Sequence, residues 1–455
     1  MINGTIAAIA TSTASTGAIS IIRVSGDEAI SIVNKLFAGA NLTKKASHTI
    51  HYGKIKCPES DTIIDEVLVM LMRAPRSFTT EDVVEINCHG GMFVTKRILE
   101  LLLTYGARHA HPGEFSKRAF LHGRIDLSSA EAIMDVIEAK TNHALIQAVN
   151  SLDGKVNRLI NQMRTDILEV IAQIEVNIDY PEYDEVEEMT NEILLPKTII
   201  IKEAMQHLLT TAKTGQLLKN GIKTAIIGRP NVGKSSLLNQ LMREEKAIVT
   251  DIAGTTRDTV EGFVNIGGIT LNLIDTAGIR QTDDLVEAIG VEKAKQLIIE
   301  AELILLVINV NESLTLQDKE LLTLTTTKNR IILLNKSDLE QKVAEKDLKA
   351  LAPFVLTSMT QESGLTMLEN EIKSLFALNQ INADETFIVN TRHVAKLNQS
   401  LAAITSAIEQ MKMLMPVDMV ELDLKTAWAH LGEILGLNVT ESLIDELFTK
   451  FCLGK

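Results

Sequence analysis

Apolar residues recur along this chain with two periods, and the alternation of the two divides it. Short β-like runs at 17–24, 66–72 and 83–87 are interleaved with helical patterns at 27–37 and 92–105, so residues 1 to 118 read as a small α/β domain. From about Ile125 the period lengthens. Leu152, Val156, Leu159, Ile160, Met163, Ile167, Val170, Ile171, Ile174 and Ile178 keep helical spacing as far as Pro181, which predicts one long amphipathic helix. The acidic run 182–188 reads as a solvated turn, and another helical stretch continues towards Leu218. Apolar runs at 223–227, 271–275, 303–308, 330–334 and 354–356 then read as buried strands. Helical spacing returns with Val394, Leu397, Leu401, Ile404, Ile408 and Met411, and further helix is expected from Val420 to the end. The predicted architecture is α/β and α multidomain. An N-terminal α/β domain (1–118) precedes a discontinuous helical domain (119–217 and 381–455), into which an α/β domain (218–380) is inserted.

Composition narrows the class. A chain of 455 residues exceeds one ordinary core and suggests about three domains. The net charge of −14 advertises no global basic field, so any nucleic-acid contact needs a local patch. Cys57, Cys88 and Cys452 are odd in number and unpaired by spacing, as in a reducing compartment. No run approaches a membrane span and no leader pattern opens the chain; a cytoplasmic protein with no membrane association is expected.

The inserted domain carries the clearest chemistry. Residues 228–239 read GRPNVGKSSLLN, with Gly228, Gly233, Lys234 and Ser235 in the fixed places of G-x-x-x-x-G-K-[ST]. Asn231 and Val232 complete the loop and Ser236 follows it. A buried strand before it and a helix after it make a phosphate cradle: backbone N–H groups crowd the β-phosphate, Lys234 supplies a point charge, and the Ser235 hydroxyl can ligate Mg²⁺. Downstream, Asp275-Thr276-Ala277-Gly278 offers a carboxylate that reaches Mg²⁺ through water and an N–H for a γ-phosphate. Asn335-Lys336-Ser337-Asp338 follows another strand. Asp338 can accept from guanine N1–H and N2–H₂, which adenine cannot offer, so GTP is the expected nucleotide. Thr357-Ser358-Met359 stands where a backbone N–H would meet guanine O6, although it departs from the usual Ser-Ala form.

Hydrolysis needs a positioned water. The residue after the D-x-x-G motif is Ile279, which has no polar atom, so the water falls to another group; Gln281, Asp283, Asp284 and Glu287 are within the following segment. Residues 250–258 read as the first switch, with Thr256 closing on Mg²⁺. Arg257 and Arg280 read equally as arginine fingers or surface charges.

Motifs at both ends make the pattern specific. Ile22-Arg-Val-Ser-Gly26, Glu81-Asp-Val-Val-Glu-Ile86 with His89-Gly-Gly91, Pro112-Gly-Glu-Phe115, Arg118-Ala-Phe-Leu121 and the terminal Phe451-Cys-Leu-Gly-Lys455, together with the GTPase motifs, resemble the MnmE (TrmE) family of tRNA modification GTPases end to end. Leu453 replaces the family's commoner Ile. The resemblance implies a homodimer whose N-terminal domain binds folate. It also implies a heterotetramer with an FAD-dependent partner, MnmG (GidA), that installs aminomethyl-type groups, such as carboxymethylaminomethyl, at C5 of the wobble uridine of certain tRNAs.

It also implies roles for single residues. Arg23, Glu85, Arg124 and Lys455 match positions that contact 5-formyl-tetrahydrofolate, a stand-in for a one-carbon donor such as methylene-tetrahydrofolate; by spacing alone they read as solvated charges and a satisfied strand residue. Glu85 can take paired bonds from a pterin's amino and ring N–H, and cations can meet folate carboxylates. Glu287 matches the family's catalytic glutamate. Cys452 matches a position at the modification site, where it stays open between nucleophile, redox group and packing residue. K⁺ would sit between Asn231, Thr250, Ile252 and Thr255, neutral oxygens suited to a large, weakly hydrated ion.

Two function classes follow: a GTP-driven component of a tRNA-modifying complex, or a GTP-dependent RNA or ribosome assembly switch without covalent chemistry. The N-terminal domain and the terminal motif favour the first, since no basic RNA-binding module follows the nucleotide domain.

Overall fold

The computed structural model describes residues 4–11, 17–139, 141–179, 190–243, 262–267, 269–274, 289–343, 353–361, 363–376, 388–451 and 454. They fall into two units, Met1–Met134 with Gly432–Lys455, and Asp135–Leu431.

In the first unit, alternation along the strands puts apolar side chains on one sheet face. Strands β1 (Ile6–Ile9), β2 (Ile19–Ser25), β3 (Phe37–Ala38), β4 (Thr49–Lys56), β5 (Ile63–Met72), β6 (Val83–His89) and β7 (Arg108–His109) pair in the order β3-β4-β5-β6-β2-β1-β7. Helices Ala29–Leu36 and Met92–Thr104 cover one face, burying Ile22, Val69, Leu71 and Ile86 with Val33 and Ile98. The opposite face carries the cross-strand rows Ile50, Met70, Glu85, Arg23 and Tyr52, Leu68, Asn87, Ile21. On it Ile50, Tyr52 and Leu68 are 61%, 65% and 46% exposed.

The runs expected at 17–24, 66–72 and 83–87 are β2, β5 and β6, whereas β1 and β4 were not anticipated. The helical reading needs correcting at two places. The long helix expected from Leu152 is two, Asn142–Leu152 and Lys155–Asp179, because Gly154 takes φ +74°, outside helical space. The helix expected from Val420 to the end is also two, Val417–Leu435 and Glu441–Thr449. The latter packs Ile444 and Phe448 against Leu127, Ala130 and Phe451.

The second unit holds β8 (Ile222–Ile227), β9 (Gly262–Ile266), β10 (Ile269–Leu273), β11 (Leu303–Asn309), β12 (Arg330–Asn335) and β13 (Phe354–Leu356), ordered β13-β12-β11-β8-β10-β9 and parallel except for β9. Strands β8, β11 and β12 are buried on both faces, and separate clusters form on either side of the sheet. The strand expected to end at Asp275 ends at Leu273. In sequence the sheet lies between helix Leu195–Asn220 and helix Thr391–Lys412. The latter bonds to helix Val417–Leu435 through Ser400 Oγ, which donates to the Ala427 carbonyl (3.0 Å).

A buried charge network braces the first unit. Arg118, 2% exposed, donates to both oxygens of Glu81 (2.8 and 3.0 Å), to Glu114 Oε1 (3.1 Å) and to the Gly4 carbonyl (2.9 Å). Ser25 Oγ donates to Glu81 Oε2 (2.7 Å). Burial pushes the Glu114 carboxyl up, but bonds from Arg108, the His111 backbone N–H and Arg118 outweigh it and bring it to about 2. A depressed carboxylate stabilises fully above its unfolded value of 4.5 and loses that contribution as pH falls towards 2. Glu114→Gln should therefore lower stability at pH 7 by about 3 kcal/mol, the order expected for that shift and for two arginines left short of a partner. In denaturant titrations followed by circular dichroism, the gap between parent and variant should close as pH drops below about 4.5. A gap that is constant with pH would show that Glu114 is not held ionised.

Candidate functional site

The nucleotide motifs converge at the carboxyl ends of β8 and β12. Strand β8 delivers the chain to Gly228, the loop runs to Gly233, and helix Lys234–Arg243 begins at once. Asn231 and Gly233 both take positive φ, +62° and +104°. Gly233 also has no room for a side chain: a Cβ there would lie 2.1 Å from Asn335 Nδ2. Lys234 Nζ donates to the carbonyls of Gly228 (2.9 Å) and Arg229 (2.8 Å), and burial pushes its pKa below the ordinary lysine value. The ammonium is thus held across the mouth of the loop, where an anion would meet it. Ser235 opens the same helix, half-buried, and Ser236 beside it is exposed.

The base-reading segment is tied to the phosphate loop. Asn335, 2% exposed at the end of β12, donates from Nδ2 to the Val232 carbonyl (2.9 Å). Lys336 adopts φ +63° in the turn that follows. Ser358 Oγ donates to Asp338 Oδ1 (2.6 Å), the main reason that carboxyl sits below its usual range, with a backbone N–H adding to it. Thr357 and Ser358 are fully buried: Thr357 N donates to the Leu334 carbonyl (2.9 Å), and Met359 packs against the sheet core. Sequence spacing brought Asn231, Val232, Gly233, Lys234, Asn335, Asp338 and Ser358 to one loop cluster. It missed Arg229, whose guanidinium bonds Glu312 and lies 3.4 Å from Asp318 Oδ2, fixing the loop's start.

In the other unit Arg23 and Glu85 face each other across β2 and β6. Arg23 Nε and Nη2 each lie 2.8 Å from Glu85 Oε1, and Nη1 donates to the Gly454 carbonyl (3.3 Å). Phe78 joins this pair to Arg124: its ring centroid is 5.6 Å from the Arg23 guanidinium and 5.3 Å from that of Arg124, and Phe115 lies 5.7 Å from Arg23. Arg124 Nη1 also donates to the Ser77 carbonyl. A carboxylate beside two guanidiniums and two rings suits a planar heterocycle with N–H groups and an anionic tail. No sequence signal marked Phe78, because its neighbours come from strands and helices far apart in the chain.

Thr250, Ile252, Thr255, Thr256, Asp275, Thr276, Ala277, Gly278, Glu287, Cys452 and Lys455 lie outside the described residues. Among the described residues no His, Cys, Asp and Glu group has metal-ligand geometry, and no helix is long and apolar enough to cross a membrane.

Comparison with known proteins covers nearly the whole chain. Residues 5–124 match the family described as GTP-binding protein TrmE N-terminus, and residues 127–452 match the MnmE helical domain. Curated relatives named tRNA modification GTPase MnmE are 52% identical in Ligilactobacillus salivarius, 53% in Enterococcus faecalis and 54% in Listeria welshimeri. Each alignment spans 99% of this chain and 98–99% of the relative.

The contact at Gly233 yields a test. Gly233→Ala should weaken binding of a fluescent GDP analogue at least roughly tenfold, since a left-handed backbone alone costs alanine about 1–2 kcal/mol before Asn335 is displaced. An unchanged titration curve would show that the loop and Asn335 separate freely.

Proposed function

This chain belongs to the MnmE family of tRNA modification GTPases, and from that premise we propose that it drives modification at C5 of the wobble uridine of certain tRNAs. It is a GTPase acting in tRNA modification. The observation that carries the finer reading is the pairing of two built sites in one chain: a phosphate loop bonded to a base-reading loop, and a separate Arg–Glu–Phe pocket. A switch that only assembled RNA would need the first and not the second.

In the first site Asp338 is proposed to read guanine, held ionised by Ser358. Lys234 meets the β- and γ-phosphates, Ser235 and Thr256 hold Mg²⁺, and Asp275 with Gly278 reads the γ-phosphate. Asn231, with Thr250, Ile252 and Thr255, supplies neutral oxygens for K⁺. When bound, the cation adds positive charge near the phosphates; Glu287 is proposed to hold or deprotonate the attacking water.

In the second site Glu85 accepts from the pterin amino and ring N–H groups of a tetrahydrofolate, and Arg23, Arg124 and Lys455 are proposed to contact it as its cationic partners. The exposed row of Ile50, Tyr52 and Leu68, beside Glu85 on the same sheet face, supports a homodimer that covers it. An FAD-dependent MnmG partner in a heterotetramer, a cytoplasmic location and a role for Cys452 complete the reading. The proposed domains are 1–118, 119–217, 218–380 and 381–455.

Three measurements test this. Nucleoside mass spectrometry of tRNA from cells lacking the protein should show loss of the C5 aminomethyl-type wobble uridines; unchanged nucleosides would refute the modification reading. At matched ionic strength K⁺ should speed hydrolysis roughly tenfold or more over Na⁺, the scale of one added charge contact in the transition state, and Asn231→Ala should remove the difference. Glu287→Ala should slow turnover by about 10²–10⁴ with GTP binding nearly intact. Turnover near the parent rate would assign the water to another group.

A further inference from the structure

Strands β8 and β12 run towards the nucleotide motifs; at their opposite, amino ends a cleft of about 690 Å³ opens between the sheet and helix Leu195–Asn220. Strand β8 has 6 residues, which at about 3.3 Å each puts the cleft on the order of 20 Å from the phosphate loop. Lys213, Lys223 and Lys328 line it against one carboxylate, Glu302, in a chain whose net charge is −14. Lys328 is held in place: its Nζ donates to the carbonyls of Ile299 (2.8 Å) and Ala301 (3.2 Å), which orient the ammonium without neutralising it. Glu302 is engaged with backbone, since its Oε2 accepts from Lys223 N (3.0 Å) and its own N–H donates to the Lys223 carbonyl (2.8 Å). Lys213 and Lys223 are exposed, and among the described residues their ammonium groups make no hydrogen bond or ion pair. The side-chain amides of Asn220 and Asn329, which line the same cleft, are equally idle.

The frame around these groups is fixed. Gly221, which joins the helix to β8, takes φ +74° and lies so near β10 that a Cβ would meet the Thr270 carbonyl oxygen at 3.1 Å. Lys219, in the last turn of the helix, pairs with Asp135 (2.5 Å). Like charges gathered in a fixed frame without a counter-charge repel one another, and a bound polyanion removes that repulsion. An enclosed site for a small anion would surround it with backbone N–H groups. Here the donors are exposed side chains spread along an open cleft, which suits a chain of phosphates. Lysine meets a phosphate as a point charge and reads no base. Half-buried Leu217 and Phe376, packed against the sheet core, add an apolar wall on which a ribose or an unpaired base can lie. We propose that this cleft is a contact surface for the ribose-phosphate backbone of RNA, with Lys213 and Lys223 each meeting one phosphate beside the fixed ammonium of Lys328. It rests on the chain's acting on tRNA and adds where the RNA lies: against the helix and the nucleotide-binding sheet at once, away from the nucleotide.

The experiment uses the full-length protein as parent, the double variants Lys213→Ala/Lys223→Ala and Lys213→Glu/Lys223→Glu, and Lys202→Ala as a control on the same helix outside the cleft. Fluorescence anisotropy of a labelled tRNA transcript, titrated at several salt concentrations from about 50 to 200 mM, reports affinity and its salt dependence. The alanine pair should lower the slope of log K against log salt by about 1.4, two contacts at about 0.7 each for an unpaired strand. The glutamate pair should weaken binding roughly tenfold or more at the lower salt, and Lys202→Ala should match the parent. GTP hydrolysis without RNA should stay within about twofold of the parent in every variant, which shows that the fold survives. Polyadenylate should compete with the transcript, since backbone contacts carry no sequence information. Parent-like affinity and slope in the glutamate pair overturn the proposal, as does a parent that binds no tRNA at the lowest salt. Competition by polyglutamate as strong as by polyadenylate would assign the cleft to an acidic protein instead. If wobble nucleosides are lost in cells lacking the protein while the glutamate pair binds tRNA like the parent, the modification reading stands and the cleft assignment fails.

Discussion

A polar side chain that leaves water without hydrogen-bond partners inside the protein pays for it, and buried groups that meet most of theirs brace both candidate sites. Arg118 and Asn335 are each only 2% exposed. The two Nη groups of Arg118 bond Glu81, Glu114 and the Gly4 carbonyl, leaving its Nε without a partner among the described residues, and Glu81 also takes a bond from Ser25. Ser77 Oγ in turn donates to the Glu81 carbonyl (2.6 Å), so the strand entry that carries Phe78 is fixed by the same network. Asn335 is satisfied by the Val232 carbonyl, which locks the base-reading segment to the phosphate loop. In each case the bonds that meet a buried group also tie down the loop beside it. Preorganisation of that kind spares a ligand the entropy of ordering the loop.

How far the sequence foretold this depends on whether a feature is local. Strands β8, β11 and β12 were legible because strands covered on both sides are continuous apolar runs. Strand β4 was not: Ile50 and Tyr52 alternate with polar residues along an open face, and Gly53 interrupts the run. The break at Gly154 was hidden because apolar spacing continues through it from Leu152 to Val156; the left-handed residue, not the pattern, ends the helix.

The sites divide the same way. Gly228, Gly233 and Lys234 belong to one strand-loop-helix unit, where chemistry fixes spacing, and the Asn335–Asp338 segment follows its own strand. Their mutual bonds were foreseeable in kind. Arg23 and Gly454 are 431 positions apart, and nothing in either neighbourhood announces the other. Phe78 is equally silent, an apolar residue beside a turn whose value comes from two guanidiniums delivered by β2 and by the segment after helix Glu114–Leu121. Tertiary approach creates such features, and only a family resemblance or a fold can reveal them.

The described residues of the nucleotide site all belong to the unit 135–431, and those of the Arg23 pocket all belong to the other. No described side chain serves both. Any action of GTP hydrolysis on the pocket would therefore be a coupling free energy, limited to the difference in affinity that two conformations show for GTP and for GDP. For binding, such coupling is reciprocal: a ligand that tightens the pocket in one conformation must shift nucleotide affinity by the same factor. Within the pocket itself the Gly454 carbonyl takes a bond from Arg23 while its backbone lies against the end of β1, so a movement of that guanidinium would be felt there.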